Sequence, residues 1–169
     1  MKLDELEFLE QSNFIEGVHD SVSLDQAVLA WNYILSKDVL TIENVLDTHN
    51  ILMLHQPIDI KDKGQFRRCP VWIGGVEKKP WYLTEQINNW IFLMNTIVAH
   101  KDIAIKDADF EQKPFGRTTH VMYEGIHPFI DGNGRTGRIF LNWLRVKCGL
   151  DVLVIREEEK QTYYKWFQK

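Results

Sequence analysis

HPFIDGNGRTGR, residues 127–138, holds a histidine, an aspartate, an asparagine, three glycines and two arginines within twelve positions. A simple connector between helices needs no such set. Pro128 restricts His127 away from helical geometry, so a preceding helix must stop there. A Gly-rich turn, Asp131 to Gly134, then leads into a second helix over Arg135 to Lys147, ended by Gly149. The fold is therefore read around a helix–loop–helix. The start of the second helix presents unpaired N–H groups and a partial positive charge. Glycines let that backbone approach a ligand, and phosphate is the usual guest. Arg135 and Arg138 are three positions apart and flank one helix face, with forked donors that suit phosphate oxygens. Asp131 is a hard oxygen ligand of the kind that holds Mg²⁺ together with substrate phosphates. His127 has an ordinary pKa of about 6.5 and can take a proton from an attacking hydroxyl. The combination suits a Mg²⁺-bound nucleoside triphosphate and in-line attack on phosphorus.

Outward from this centre the chain reads as mostly helical. Leu3, Leu6 and Leu9 begin an apolar stripe, and Gly17 ends a short helix around Ser12 to Glu16. Ser23 is placed to cap a second helix and Thr41 a third that runs toward His55, before Pro57. Residues 57 to 80 change character, with three glycines and three prolines, and FRRCPVWI reads as an edge strand of an irregular hairpin. Thr84 to Val98 returns to helix, with Ile87, Trp90, Ile91 and Met94 on one side. A further helix is expected from near Asp109 to Ile126, and a last one from Glu157 to Gln168.

The 169 residues are expected to form one domain, 1–169, large enough to bury a core. Apolar residues at 44% and charged residues at 26% are ordinary for a soluble protein. A net charge of −4 leaves no global basic footprint, so no direct nucleic-acid partner is expected. The start, MKLDELEFLE, lacks an apolar core and does not read as a signal peptide. The most apolar run, from Trp90, is broken by Asn95 and His100, so no membrane partner is expected either. Cys69 and Cys148 lack metal-ligand spacing and point to free thiols and a cytoplasmic setting.

The central stretch closely resembles the signature of the Fic family, His-Pro-Phe-x-Asp/Glu-Gly-Asn-Gly-Arg-x-x-Arg. Every fixed position is met, by His127, Pro128, Phe129, Asp131, Gly132, Asn133, Gly134, Arg135 and Arg138. The preceding HVMYEGIHPF, with His120, Tyr123 and Ile126, is similar as well. FRRCPVWIGG resembles the Fic flap, a β-hairpin that holds a target segment by strand addition, here through Val71, Trp72, Ile73 and Gly74. The resemblance implies a mostly α Fic fold, a helical bundle around a helix–loop–helix site with a small β-hairpin flap. It implies an enzyme moving AMP from ATP, with Mg²⁺, onto a Tyr, Thr or Ser hydroxyl of a protein substrate. On this resemblance His127 is the general base and Asp131 holds Mg²⁺. Asn133 and the backbone of Gly132 and Gly134 contact the α- and β-phosphates. Arg135 binds phosphate and braces Asp131, Arg138 holds the γ-phosphate, and Phe129 is a core anchor.

SNFIEG, residues 12–17, reads by composition as an ordinary helix end. Beside the full signature it resembles the Fic inhibitory motif, Ser/Thr-x-x-x-Glu-Gly/Asn, through Ser12, Glu16 and Gly17, with Val18 where Asn often follows. The resemblance implies that Glu16 pairs with Arg138. A carboxylate there occupies the cation that the γ-phosphate needs and sets a negative charge beside a polyanion. Arg67 and Arg68 are read as surface charge of the flap. His19, His49, His55 and His100 are read as structural. Trp72, Trp81, Trp90 and Trp143 are assigned to core or flap packing, and Tyr163 and Tyr164 to the border of an adenine pocket. Two rival readings stand beside AMP transfer: a Fic-related kinase or other phosphoryl-group transferase, and a non-catalytic module that senses nucleotide.

Overall fold

The computed structural model describes residues 2–106 and 114–168. Eight α-helices and one two-stranded antiparallel sheet form among these residues: α1 Leu3–Ile15, α2 Ser21–Leu35, α3 Ile42–Met53, β1 Val71–Ile73, β2 Val76–Lys78, α4 Leu83–Ala99, α5 Lys101–Lys106, α6 Arg117–Ile126, α7 Asn133–Lys147 and α8 Lys160–Tyr164. Short 3₁₀ turns follow α3 and flank α8. No helix among the described residues is long and apolar enough to cross a membrane.

α7 is the axis. Every residue from Arg135 to Leu144 is buried, and α1, α2, α3, α4 and α6 all pack on it. A helix buried all round belongs at the centre of a bundle. Its apolar side chains Ile139, Phe140, Trp143 and Leu144 join Trp31, Met53, Trp90, Tyr123 and Phe129 in the main core. A smaller cluster of Ile15, Leu141, Ile155 and Tyr163 forms where α1 and the C-terminal segment meet α7.

Three buried or part-buried asparagines fasten irregular chain to the helices. Each amide offers one donor and one acceptor side, so it can bond both backbone groups of a single residue. Asn95 on α4 does this with Leu40, at 2.9 Å in both directions. Asn142 on α7 clasps Leu153, accepting its N–H at 2.6 Å and donating to its carbonyl at 3.1 Å. Asn133 clasps Phe129 in the same way. Asn95, which breaks the most apolar run of the sequence, is thus a fastening rather than a flaw.

Several local expectations change. α1 is one continuous helix rather than a short one around Ser12 to Glu16, and its buried side is Glu5, Phe8, Leu9, Ser12, Asn13 and Ile15. Leu3 and Leu6 are exposed, so the expected stripe does not form. α2 starts earlier than expected because Asp20, not Ser23, is its cap, accepting from the Ser23 N–H at 2.8 Å. Thr41 caps α3 as expected. The helix before His127 is described from Arg117 only, and the expected stretch from Asp109 to Lys113 lies outside the described residues. The last expected helix is two 3₁₀ turns around the short α8. Trp90 and Trp143 are core, but Trp72 and Trp81 stand exposed. Both cysteines are free thiols.

The hairpin runs Val71↔Lys78, Trp72↔Glu77 and Ile73↔Val76. Its turn is Gly74–Gly75, with φ of 54° and 80°. Positive φ at both central residues is the tight two-residue turn that follows the twist of paired strands.

Asn142→Asp keeps the acceptor of the Leu153 clasp but sets a carboxylate against the Leu153 carbonyl. A loss of about 2–4 kcal/mol in chemical denaturation is expected from the buried, unpaired charge.

Candidate active site

α6 ends at His127 in the left-handed region, φ 51° and ψ 64°. That conformation carries strain for a residue with a Cβ and persists only where the surroundings hold it. Here they do so through backbone atoms. The His127 N–H donates to the Tyr123 carbonyl at 2.9 Å. The Arg67 Nε donates to the His127 carbonyl at 2.7 Å, and the Arg67 N–H to the Pro128 carbonyl at 2.9 Å. Arg67 also bonds the carbonyls of Cys69, Lys78, Lys79 and Ile126. It is 4% exposed and ties the hairpin to the C-terminal end of α6, where a cation suits the helix dipole. The reading of Arg67 as surface charge is corrected; Arg68 is the exposed one.

The rest of the loop is equally fixed. Phe129 is fully buried and stacks on His49 with ring centroids 3.7 Å apart and planes within 7°. His49 accepts the Gly64 N–H on Nδ1 at 2.9 Å, which leaves Nε2–H to donate to the Asp131 carbonyl at 3.0 Å. Burial lowers its pKa to about 4, so the ring stays neutral in that tautomer. His49 is structural, as read, yet it sits directly behind the signature loop. The Asn133 side chain is occupied with Phe129, so what Asn133 has left for a ligand is backbone. Gly132 has φ 75°, and a Cβ there would lie 2.5 Å from Met53 Sδ. Its N–H donates to Asp131 Oδ1 at 2.7 Å. The Thr136 hydroxyl donates to the Gly132 carbonyl at 2.5 Å.

Above this loop lie the charged groups. The Arg135 side chain is 4% exposed and its Nη2 is 3.8 Å from Asp131 Oδ2, while the Asp131 side chain is 55% exposed. Among the described residues, Arg135 Nε and Nη1 have no partner although they are shut off from solvent. Buried donors are rarely left unpaired, so this pair is laid out for an anion. One exposed carboxylate beside such a site is what Mg²⁺ asks of a protein when phosphates supply further ligands. The residues present therefore fit ATP with Mg²⁺.

Arg138, by contrast, is fully engaged. Its Nε donates to Ser12 Oγ at 2.8 Å, its Nη2 to the Ser12 carbonyl at 2.9 Å and to Glu16 Oε1 at 2.8 Å, and its Nη1 to the Tyr163 hydroxyl at 3.2 Å. Glu16 ends α1, and Gly17 follows at φ 73°. A Cβ at Gly134, in the first turn of α7, would collide with Glu16 Oε1, so the glycine leaves room for the carboxylate there. Tyr163 is 3% exposed and bonds His120 Nε2 at 2.8 Å as well as Arg138. It is a brace for the arginine, not a wall of an open pocket; its neighbour Tyr164 lies at the surface. His127 keeps 26% of its side chain exposed, and burial lowers its pKa below the ordinary value. The ring is neutral at pH 7 and able to accept a proton.

The chain belongs to the Fic/DOC family, whose profile matches residues 39–144. Similar curated proteins include the protein adenylyltransferase Fic of Aedes aegypti, 29% identical over 157 residues that cover 91% of this chain and 30% of that protein. The protein of the same name from Drosophila melanogaster is 27% identical over 155 residues, covering 89% of this chain and 29% of that protein. The chain spans about three-tenths of the length of these relatives. A Fic domain containing signaling protein from Bacteroides thetaiotaomicron has a similar structure, with TM-score 0.75 at 20% identity over 95% of this chain and 69% of that one. A Fic-1 fragment from C. elegans gives TM-score 0.73 at 21% identity over 98% of this chain and 55% of that one. At these identities the likeness is one of fold, and the mostly helical Fic architecture with its small hairpin is what the chain adopts.

Arg67→Ala removes the tie between hairpin and loop, and a loss of about 3 kcal/mol in denaturant titration is expected. Arg68→Ala should stay within about 0.5 kcal/mol of the parent.

Proposed function

We propose that the chain is a protein adenylyltransferase that moves AMP from ATP, with Mg²⁺, to a hydroxyl side chain of a protein, and that α1 holds it in check. The observation that carries the reading is the buried Arg135 guanidinium, with two nitrogens unpartnered among the described residues, on the first turn of α7, the helix that follows the His127 loop. Such a donor set calls for phosphate. The relatives named protein adenylyltransferase favour AMP transfer over the kinase reading, as does the intact Gly132-Asn133-Gly134 loop.

In this mechanism the neutral His127 takes the proton of the acceptor hydroxyl as its oxygen bonds to the α-phosphorus. The bond from that phosphorus to the α,β-bridging oxygen breaks in line, and pyrophosphate leaves. The first-turn amides of α7 cradle the α- and β-phosphates, and Arg135 donates to their oxygens. Asp131 would hold Mg²⁺, which supplies charge to offset the phosphates. The edge of β1, with Trp72 exposed beside it, receives the target segment as an added strand.

Glu16 opposes this arrangement. It occupies Arg138, the group the γ-phosphate would need, and sits against Gly134. α1 is itself strapped down by the C-terminal segment at four-residue intervals. Arg156 bonds Glu7 at 2.8 Å, the Glu157 N–H bonds Gln11 at 2.9 Å, and Lys160 bonds the Ile15 carbonyl at 2.5 Å. These contacts are partly exposed, and each contributes little alone.

The test is transfer of label from α-labelled ATP with Mg²⁺, to the protein itself and in a lysate, in the wild type, Glu16→Gly and Glu16→Gly/His127→Ala. Label should rise strongly in the first variant and vanish in the second. Label from γ-labelled ATP instead would select the kinase reading, and ATP binding with no transfer in any variant the sensing module. Lys160→Ala, which loosens the strap without touching the site, should raise basal transfer by about two- to fivefold, corresponding to roughly 0.5–1 kcal/mol.

A further inference from the structure

Glu124 lies one turn before His127 on α6, and its side chain is 14% exposed. Its Oε2 is 3.7 Å from His127 Nδ1. Among the described residues neither His127 Nδ1 nor Glu124 Oε1 has a hydrogen-bond partner, although both are shut off from solvent. Buried polar atoms are nearly always paired, and the carboxyl that carries the unpaired Oε1 comes within 3.7 Å of the unpaired Nδ1 through its other oxygen, so a small side-chain rotation would close a hydrogen bond between the two groups. The bundle keeps space for this carboxyl. A Cβ on Gly137 would lie 2.6 Å from Glu124 Oε1, so any other residue there would press on it.

We propose that Glu124 is the positioning residue for His127: its carboxylate accepts the Nδ1–H of the imidazole and leaves Nε2 bare toward the acceptor hydroxyl. This deepens the reading of His127 as the base and rests on it. When Nε2 takes the hydroxyl proton the ring becomes an imidazolium that still carries its Nδ1–H, and Glu124 faces the new charge as a carboxylate. The logic is that of a carboxylate fixing tautomer and orientation of a catalytic histidine.

The surroundings are compatible with this role. Burial pushes the Glu124 carboxyl up to about 7, with Arg138 opposing the rise and Glu16 adding to it. Burial lowers His127; the Glu124 main-chain oxygen, Asp131 and Glu16 act against that, and Arg67 acts with it. Near neutral pH a positive charge formed on the ring draws its neighbour into the ionised form. The main-chain oxygen of Glu124 is a rival partner for the ring, so the test must isolate the side chain.

The experiment has two arms. The first is an NMR titration of the 169-residue chain carrying ¹⁵N-histidine, as wild type and Glu124→Gln. The second measures kcat and KM for ATP against pH in the Glu16→Gly background, with and without Glu124→Gln or Glu124→Asp. The neutral His127 should carry its proton on Nδ1. Glu124→Gln removes a negative neighbour, so the His127 midpoint should fall and the acid limb of kcat move to lower pH. kcat should drop about 10- to 100-fold with KM for ATP within about twofold, and Glu124→Asp should recover part of the loss. An unchanged midpoint with kcat within about twofold of the parent would assign the ring to the main-chain oxygen and overturn the proposal. If Glu16→Gly transfers no label, the activity reading fails, while the titration, which needs no turnover, still decides the pairing. Should Glu124→Gln not fold, an Nε2–H tautomer in the wild type would overturn it.

Discussion

Among the described residues three guanidinium groups are buried, those of Arg67, Arg135 and Arg138, each no more than 4% exposed. Arginine does not shed its proton, so each carries its charge into the interior and must find acceptors there. The three are answered differently, and the differences divide the molecule by role. Arg67 is met by backbone carbonyls alone, from the hairpin, the end of α6 and His127. Carbonyls are permanent parts of the chain, so this is a fixed joint. Arg138 is met by groups from two other segments, Ser12 and Glu16 at the end of α1 and Tyr163 on α8. Its partners can depart with their segments. Arg135 is met in part, with two nitrogens unpaired among the described residues. On the proposed function, a joint, a switch and a ligand site would be three degrees of satisfaction of the same chemical group.

The loop between α6 and α7 depends on that fixed joint. His127 holds a left-handed backbone that a histidine does not choose by itself. Arg67, Asn133 and His49 each bond loop backbone atoms, from the hairpin, from α7 and from α3. Three separate elements thus overdetermine one short segment. A site built this way needs little rearrangement to receive a ligand, which is the condition for electrostatic stabilisation to act without reorganisation.

What was legible in the sequence follows the range over which each signal acts. The helix–loop–helix was legible because Pro128 and the glycines act on their own backbone. The hairpin was legible for the same reason, through Pro70 and the Gly74–Gly75 turn. Arg67 was not, since nothing local separates it from Arg68; only the distant α6 end makes one a joint and the other a surface charge. α1 misled for a more instructive reason. Its buried side carries Glu5, Ser12 and Asn13 among Phe8, Leu9 and Ile15. The apolar spacing of Leu3, Leu6 and Leu9 is therefore misleading at its first two positions, which stand in solvent, while Leu9 is buried. Ser12 is on the inner side where Arg138 meets it and, one turn on, Glu16. Polar contacts of this kind break the apolar periodicity of α1. Tyr163 was misplaced similarly, its role being set by a contact with Arg138 across the fold.

The position of the family match sharpens this division. It spans residues 39–144 and so contains the loop, the hairpin, Arg67 and all of α7 that is buried. It leaves out α1 and α8, which supply the partners that Arg138 meets. The shared part thus carries a buried cation whose hydrogen-bond partners among the described residues lie in the flanking segments. A bare, buried guanidinium is strongly unfavourable, whereas a phosphate would answer it at least as well as a carboxylate. Release of α1 without nucleotide would therefore be resisted by the exposed charge it leaves, and release with nucleotide in place would not. The proposed brake and the proposed substrate would then compete for one group, and the energy of that group would couple the motion of the first to the arrival of the second.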